Sequence, residues 1–322
     1  MAMSLTVPDT WEPEAFTAAV GDAVWAPSIH NSQPWQFRRT GKGIEVTVDE
    51  ARRLPACDQD GRMARISCGA ATFNLRLALA ATGLPARYRF GRDPVLVHLS
   101  PAPARPPTPV ERRQHWQIRR RHTNRGPFAD RALEAGVPEL LAEAARREGG
   151  WLHFVAGEHA LASLAEWIHD ADAQLRTSPA YMAELQAWST AADTSVEGVG
   201  LYAAGAAPHP DELLTRRDFG GARHDSTRDV VRQPVVAILS VLGDGRNDDV
   251  SAGMALQGVL LTAADLGLAT AMYSQPVEVP ATRERLRRTM SGIHQPHLVL
   301  RFGFAPTTCY TNRRPVGDVI VA

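Results

Sequence analysis

The sequence predicts an α+β fold built from two related halves, and three observations support this prediction. Strand-like and helix-like segments follow one another without the regular strand–helix–strand rhythm of a parallel sheet. A proline-rich segment separates a shorter first part of the chain from a longer second part. Two helix-like segments, one in each part, share a pattern of small residues. Together these observations favour two pseudo-symmetric halves with central helices and antiparallel sheets.

The proline-rich segment spans residues 100–110 and reads SPAPARPPTPV, with five prolines in eleven residues. Such a run favours an extended conformation and cannot continue a helix or a central strand. It predicts a first half over residues 1–99, a linker over 100–110 and a second half over 111–322.

The two shared segments are residues 67–84 and 251–268. At an offset of 184 residues, seven of their eighteen positions are identical, including the pairs Gly69/Gly253 and Gly83/Gly267. Both segments are apolar nearly all round, as buried helices are, and both end at a glycine that suits a helix C-terminus. We interpret them as equivalent central helices of a duplicated fold. Two unrelated core helices are the alternative, since alanine-rich segments match easily by chance.

The remaining elements follow from periodicity and from the positions of glycine and proline. Strands are predicted at 43–48, 88–99, 234–242 and 297–304. Helices are predicted at 11–25, 66–82, 131–147, 158–176, 251–266 and 280–290. Residues 190–232 show only weak periodicity, and a stretch of that length is often a functional lid. We take it as the lid candidate.

Composition limits the classes of function. Lysine plus arginine and aspartate plus glutamate both number 35, so the chain has no net charge to attract nucleic acid or an anionic membrane. The three cysteines, Cys57, Cys68 and Cys309, are odd in number and form no CxxC motif, which suits a reducing cytoplasm. No signal peptide and no membrane-spanning run are recognisable, so we expect a cytoplasmic protein without nucleic-acid or membrane partners.

The first motif spans residues 26–37, APSIHNSQPWQF. It contains four short side chains able to form hydrogen bonds, followed by a proline and a tryptophan: Ser28, Asn31, Ser32, Gln33, Pro34 and Trp35. Such a loop can present backbone and amide groups to a flat heteroaromatic ring. A capped helix followed by a turn explains the residues equally well. Because Asn31 lies in a loop, we expect it to contact a ligand and to contribute little to folding.

The second motif, residues 119–128, reads RRRHTNRGPF and contains four arginines. Arginine provides paired hydrogen-bond donors for phosphate, so the segment could bind an anion. The alternative is a basic surface that contacts only solvent. A third segment, TNRRPVGDV at 311–319, adds Arg313 and Arg314. The spacing of His294 and His297 does not predict a metal site, because Pro296 interrupts the helix that would align the two rings.

These motifs together resemble the nitroreductase family of FMN flavoproteins, and in particular its actinobacterial Acg-type branch, in which two nitroreductase-like halves are fused. The resemblance covers roughly residues 11–128 and 235–320. Residues 27–35 agree with the family pattern PSxxNxQPW at every fixed position. Residues 121–125, RHTNR, agree with the basic segment that holds the flavin phosphate and pyrimidine edge, with one residue inserted before Phe128. Residues 268–275 match the segment lining the flavin by position but poorly by residue type.

The resemblance implies a nitroreductase-like fold and an FMN cofactor. It also implies the cofactor-binding residues, which are Pro27, Ser28, Ile29, Asn31, Gln33, Arg121, His122, Thr123, Arg125, Met272, Tyr273, Ser274, Arg313 and Arg314. The first half retains the PSxxNxQPW segment and the second half retains the basic segment. We therefore expect one complete site at the interface of the halves and one FMN per chain. The chain itself is expected to be a monomeric pseudo-dimer or a weak homodimer.

The activity implied is electron transfer from NAD(P)H through FMN to a nitroaromatic or quinone-type acceptor, with no catalytic protein nucleophile or base and no metal. The alternative is an FMN-sequestering protein with a lid and little or no turnover. Binding of an anionic macromolecule by the basic segment is the third and least favoured interpretation, because the chain has zero net charge.

Overall fold

The structure, a computed structural model, describes residues 10–190, 195–205, 207–209, 212–220, 231, 233–305 and 310–322. The helices are α1 Pro13–Ala23, α2 Arg62–Ala81, α3 Pro109–Gln117, α4 Val137–Arg146, α5 Glu158–Arg176, α6 Pro179–Ala187, α7 Leu201–Ala204, α8 Arg246–Asp265, α9 Gln275–Glu278 and α10 Pro280–Thr289. The strands are β1 Trp35–Thr40, β2 Gly43–Val48, β3 Ala86–Phe90, β4 Val95–Pro101, β5 Trp151–Phe154, β6 Ser189–Thr190, β7 Val199–Gly200, β8 Val235–Val241, β9 Ala269–Tyr273 and β10 Gln295–Gly303.

The same topology occurs twice along the chain. One sheet has the strand order β1-β2-β4-β3, with α2 between its second and third strands in sequence. The other has the order β5-β8-β10-β9, with α8 in the equivalent position. All neighbours in both sheets are antiparallel. The predicted α+β fold with two halves, central helices and antiparallel sheets is therefore confirmed.

The central helices pack against each other through their equivalent glycines. A Cβ atom on Gly69 would overlap the carbonyl oxygen of Val250, and one on Gly253 would overlap that of Ile66. Ile66 and Val250 are themselves 184 residues apart, as the two glycines are. Each helix thus uses one surface to contact the same surface on the other, which is the arrangement that a two-fold axis produces.

Each half contributes to the core of the other. Met63 and Ile66 of α2 pack in the core around the second sheet, whereas Val250 and Met254 of α8 pack in the core around the first. The C-terminal segment also returns to the first sheet, where the Phe37 N–H donates to the Val319 carbonyl at 2.8 Å. Sites at the interface are therefore held by two interlocked cores.

Most predicted elements are present within a few residues of their expected bounds. The predicted strand 88–99 is instead two strands, β3 and β4. Among the described residues, the elements that were not predicted are β1, β5, β6, β7, β9, α3, α6, α7 and α9. Helix α3 begins at the last proline of the predicted linker, because Pro109 occupies the first turn and Thr108 forms a capping box with Glu111. Cys57 and Cys68 are buried free thiols, and Cys309 lies outside the described residues.

No helix in the described part of the chain has the length and apolar character needed to cross a bilayer.

Replacing Gly253 by alanine should disrupt the crossing of α2 and α8. The new methyl group would overlap the Ile66 carbonyl and lie 2.9 Å from the Ala70 nitrogen, so the helices would have to separate. We expect the free energy of unfolding to fall by about 3 kcal/mol or more, measured by urea denaturation.

Gly258→Ala is the matched control on the same helix. Its new Cβ would meet nothing closer than 3.4 Å, and alanine favours a helix by up to about 1 kcal/mol over glycine. Equal stability of the two variants would contradict close glycine packing at this crossing.

Candidate cofactor site

A large cavity lies where the two halves meet. It encloses about 860 Å³, including the part open to solvent. Apolar side chains from the two central helices form part of its wall, among them Met63, Ile66 and Leu256. Eight of the predicted cofactor residues line it, namely Pro27, Ser28, Ile29, Thr123, Arg125, Met272, Tyr273 and Ser274.

A smaller, cationic cavity of about 300 Å³ adjoins the large one. Its wall consists of Pro27, Ser28, Asn31, Arg121, His122, Thr123, Arg125, Thr311 and Arg313. Four of these residues, Pro27, Ser28, Thr123 and Arg125, line both cavities. The two spaces therefore lie side by side, one with a partly apolar wall and the other with a positively charged wall.

The basic segment is fixed by pairing with the second sheet. Thr123 forms a parallel bridge with Thr270, and the Asn124 N–H donates to the Thr270 carbonyl at 2.9 Å. The Asn124 side chain then closes a turn by accepting a hydrogen bond from the Gly126 N–H at 3.0 Å. This backbone pairing along β9 holds the segment beside the cavity.

Arg121 is a buried cation whose hydrogen-bonding groups are incompletely used. Its side chain donates to the Trp25 carbonyl at 3.3 Å, but its Nε and Nη1 atoms have no partner among the described residues. Burial and, to a smaller extent, the nearby charge of Arg125 together lower the pKa of Arg121 to about 10. Burying a charge without a counter-ion is costly, so this group is suited to meet an anion.

Arg313 is a second buried cation close to other arginines. It donates to the Thr311 carbonyl at 2.8 Å, and burial together with the charges of Arg121 and Arg125 lowers its pKa to about 9. Burial and the neighbouring arginines also lower the pKa of His122 to about 4, so that ring is neutral at pH 7. Across the described residues, no carboxylate lies within ion-pair distance of Arg121 or Arg313.

The first motif forms a tightly held loop with unusual backbone angles. His30, Asn31 and Gln33 all have positive φ, at 49°, 55° and 52°. The Asn31 amide donates to the carbonyls of Gly198 at 3.0 Å and Asn312 at 3.2 Å. The structure therefore corrects the expectation that Asn31 contributes little to folding, because its side chain joins three separate segments of the chain.

Two predicted cofactor residues, Gln33 and Arg314, line neither cavity. The Gln33 side chain donates to the Val196 carbonyl at 2.7 Å and accepts from the Arg314 N–H at 2.9 Å. The Arg314 guanidinium lies 3.5 Å from the Asp49 carboxylate. These residues connect the loop to its surroundings, whereas the neighbouring Asn31 and Arg313 reach the cationic cavity.

The sequence-based prediction missed the cavity residues His30, Arg216, Arg217 and Phe219. The last three belong to the 212–220 part of the lid candidate. The Arg217 guanidinium bonds to the Glu278 carboxylate at 2.8 Å, and both side chains are almost fully buried. A pair of arginines in a polar segment gives no sequence signal for such a contact, because its partner is distant in the chain.

The protein is therefore of the α+β class, with two antiparallel sheets around paired helices and an apolar cavity next to a cationic one. No family model matches the sequence. Full-length relatives do match it. The chain is 31% identical to Rv3131 of Mycobacterium tuberculosis, with 99% of this chain and 94% of the relative covered. It is 30% identical to the acg protein of the same organism, with 97% of each covered.

Both relatives carry the provisional name NAD(P)H nitroreductase. The chain therefore belongs to the nitroreductase family, in the group that contains the acg protein. Among solved structures, it is similar to an FMN-bound nitroreductase from Desulfitobacterium hafniense, with a TM-score of 0.40 and 15% identity over 65% of this chain and 97% of that one. It is also similar to an FMN-bound nitroreductase from Bacteroides fragilis, with a TM-score of 0.40 and 16% identity over 67% of this chain and 99% of that one. The family assignment rests on the full-length relatives.

Proposed function

We propose that the chain binds FMN across the two adjoining cavities, with the phosphate in the cationic cavity and the ring system in the large one. The observation that supports this most strongly is the pair of guanidiniums, Arg121 and Arg313, beside each other without a carboxylate partner among the described residues. A phosphate would supply the missing negative charge and accept hydrogen bonds from the unpaired N–H groups. The apolar wall of the large cavity suits a flat aromatic ring.

FMN, when bound, supplies the capacity to accept a hydride and to pass on the electrons. The protein's part is to bind and orient. Arg121 and Arg313 hold the anionic group, while the segment Ala271–Gln275 and the loop at Pro27–His30 line the ring cavity. His122 contributes as a neutral group at pH 7. Such a mechanism requires no protein nucleophile or general base.

We further propose that NAD(P)H is the electron donor and a nitroaromatic or quinone-type compound the acceptor. The names of the relatives Rv3131 and acg support NAD(P)H as donor. The large cavity is partly open to solvent, so a second molecule would be able to approach the site proposed for the ring.

One FMN per chain is the expected stoichiometry. At the offset of 184 residues, the counterpart of Gln275 in the first half is Gly91. There the Arg246 guanidinium donates to the carbonyls of Gly91 at 3.2 Å and Val95 at 2.8 Å. Arg246 therefore occupies backbone carbonyls at the second, pseudo-equivalent position. That position also lacks a basic segment, because the chain contains only one.

FMN sequestration without turnover is the second candidate, and a specific contact favours it. Arg217, from the lid candidate, lines the large cavity and is anchored by Glu278, whose side chain is 1% exposed. Breaking one partner of a buried ion pair is strongly unfavourable. If this contact stays closed, it would keep a second substrate away from the ring.

Arg121→Met should strongly reduce the preference of the protein for FMN over riboflavin. Riboflavin lacks the phosphate, so in the wild type we expect FMN to bind roughly 100-fold more tightly, as hydrogen bonds to a charged group imply. In the variant the two dissociation constants should converge. The ligand-free variant should be at least as stable as the wild type, because a buried uncompensated charge has been removed. Fluorescence titration measures both constants.

Arg314→Met is the control for this comparison. It removes the contacts to Gln33 and Asp49 and should lower stability, yet retain the preference for FMN because Arg314 lines neither cavity. A wild type that binds riboflavin and FMN equally well would contradict the proposed phosphate site.

Mixing the FMN-loaded wild type with NADPH and a nitroaromatic should bleach the flavin absorbance and then restore it as the acceptor is consumed. The comparison variant is Glu278→Gln, which weakens the anchor of Arg217. The control is Glu284→Gln, which alters two surface ion pairs of α10, with Arg287 and Arg288, that contribute little. If the wild type and the control stay oxidised while Glu278→Gln is bleached, sequestration replaces turnover as the function.

A further inference from the structure

His30 lies in the wall of the large cavity, where the PSxxNxQPW loop meets the lid candidate. The residue is 4% exposed, and its ring packs edge-on against Phe219 with 5.5 Å between the ring centroids. Its backbone has the positive φ of 49° noted above. Such positions are unfavourable for most residues and often mark ligand sites.

Arg217 fixes the position of the proton on this ring. Its Nη1 group contacts His30 Nε2, while its Nη2 group is held by Glu278. A guanidinium only donates hydrogen bonds and stays protonated in proteins. His30 Nε2 must therefore accept, so a neutral ring carries its proton on Nδ1.

The ring stays neutral. Burial lowers the pKa of His30 well below its ordinary value, and the positive charges of Arg217 and Arg125 lower it further. These two arginines are the charged groups that face the ring, and Glu278 lies behind Arg217. A single N–H group, on Nδ1, is therefore the donor that His30 presents.

His30 Nδ1 has no hydrogen-bond partner among the described residues. A buried donor left without a partner is unfavourable, and this one belongs to a side chain that lines the cavity. We propose that His30 Nδ1–H donates a hydrogen bond to an oxygen or nitrogen atom of the molecule bound in the large cavity. Arg217 is then a positioning residue, which selects the tautomer able to donate.

The acceptor atom belongs either to the dione edge of the flavin or to the nitro or carbonyl group of the second substrate. Both present the same chemistry, an uncharged or partly negative oxygen or nitrogen at the edge of a flat ring. The proposal rests on the proposed function, since it assumes that a flavin or its electron acceptor occupies this cavity. It adds a selectivity rule, which is that the molecule must offer an acceptor at His30.

The tautomer can be measured directly by nitrogen–proton NMR of protein labelled with nitrogen-15 histidine, at pH 7. His30→Asn identifies the His30 signal by its loss. We expect a neutral ring with its proton on Nδ1 in the wild type, and a change toward the Nε2-protonated form in Arg217→Met. A wild-type ring protonated on Nε2, or on both nitrogens, would overturn the proposal. This result does not depend on flavin binding.

Binding measurements test the donor. His30→Ala should raise either the FMN dissociation constant or the KM of the nitroaromatic by about tenfold, which is the usual contribution of one hydrogen bond. His30→Asn keeps an N–H near the Nδ1 position and tolerates the left-handed backbone, so it should retain most of the affinity. An effect on the FMN dissociation constant assigns the acceptor atom to the flavin, whereas an effect on the KM of the nitroaromatic alone assigns it to the second substrate.

Equal FMN affinity and equal KM in the wild type and both His30 variants would contradict the hydrogen bond. A wild type that fails to bind FMN at all would instead contradict the proposed function, and the NMR result for the tautomer would stand apart from it.

Discussion

The close crossing of α2 and α8 is the constraint on which the rest of the structure depends. Only glycine allows the two backbones to approach as they do at Gly69 and Gly253. Because this contact is reciprocal, it fixes both the separation of the halves and their two-fold relation. The large cavity is lined by Met63 and Ile66 from one helix and Leu256 from the other. Its shape therefore follows directly from the spacing of the helices.

The two-fold relation is broken where chemistry requires it. The basic segment exists once, paired with the edge of β9, and the loop around Asn31 also exists once. Each comes from a different half, and the helix crossing brings them to the same side of the molecule. Guanidiniums that would repel one another are thereby gathered around one small space. That repulsion weakens the fold unless an anion offsets it, so stability and ligand binding are coupled at this site.

Much of the fold could be predicted from the sequence, because the strongest signals are local. The buried helices have small residues throughout and a terminal glycine, and α2 and α8 differ by the same 184 residues at both ends. Strand β1 was missed because its six residues, WQFRRT, show charge where a pattern search expects alternation. Helix α3 was missed because Pro109 reads as a linker residue unless the capping box at Thr108 is recognised.

The candidate site could be predicted only in part. Short motifs identified the segments, and the structure brings Arg121, Arg125 and Arg313 together as the motifs imply. The motifs could not show that Asn31 and Arg313 line the cationic cavity while Gln33 and Arg314 do not. Residues close in sequence point in different directions, and only the packing decides which of them reaches the cavity. Nor could the motifs reveal Arg217 or the tautomer of His30, which depend on contacts between residues almost 190 positions apart.

The number of flavins bound per chain tests the central claim most directly. Flavin-free protein would be titrated with FMN to saturation, and the bound flavin would be released by denaturation and quantified against the protein concentration. One equivalent per chain is the result expected from a single composite site between two unequal halves. Two equivalents would show that both pseudo-equivalent positions bind FMN and would contradict the account. No bound FMN would mean that the cationic cavity serves a different anion.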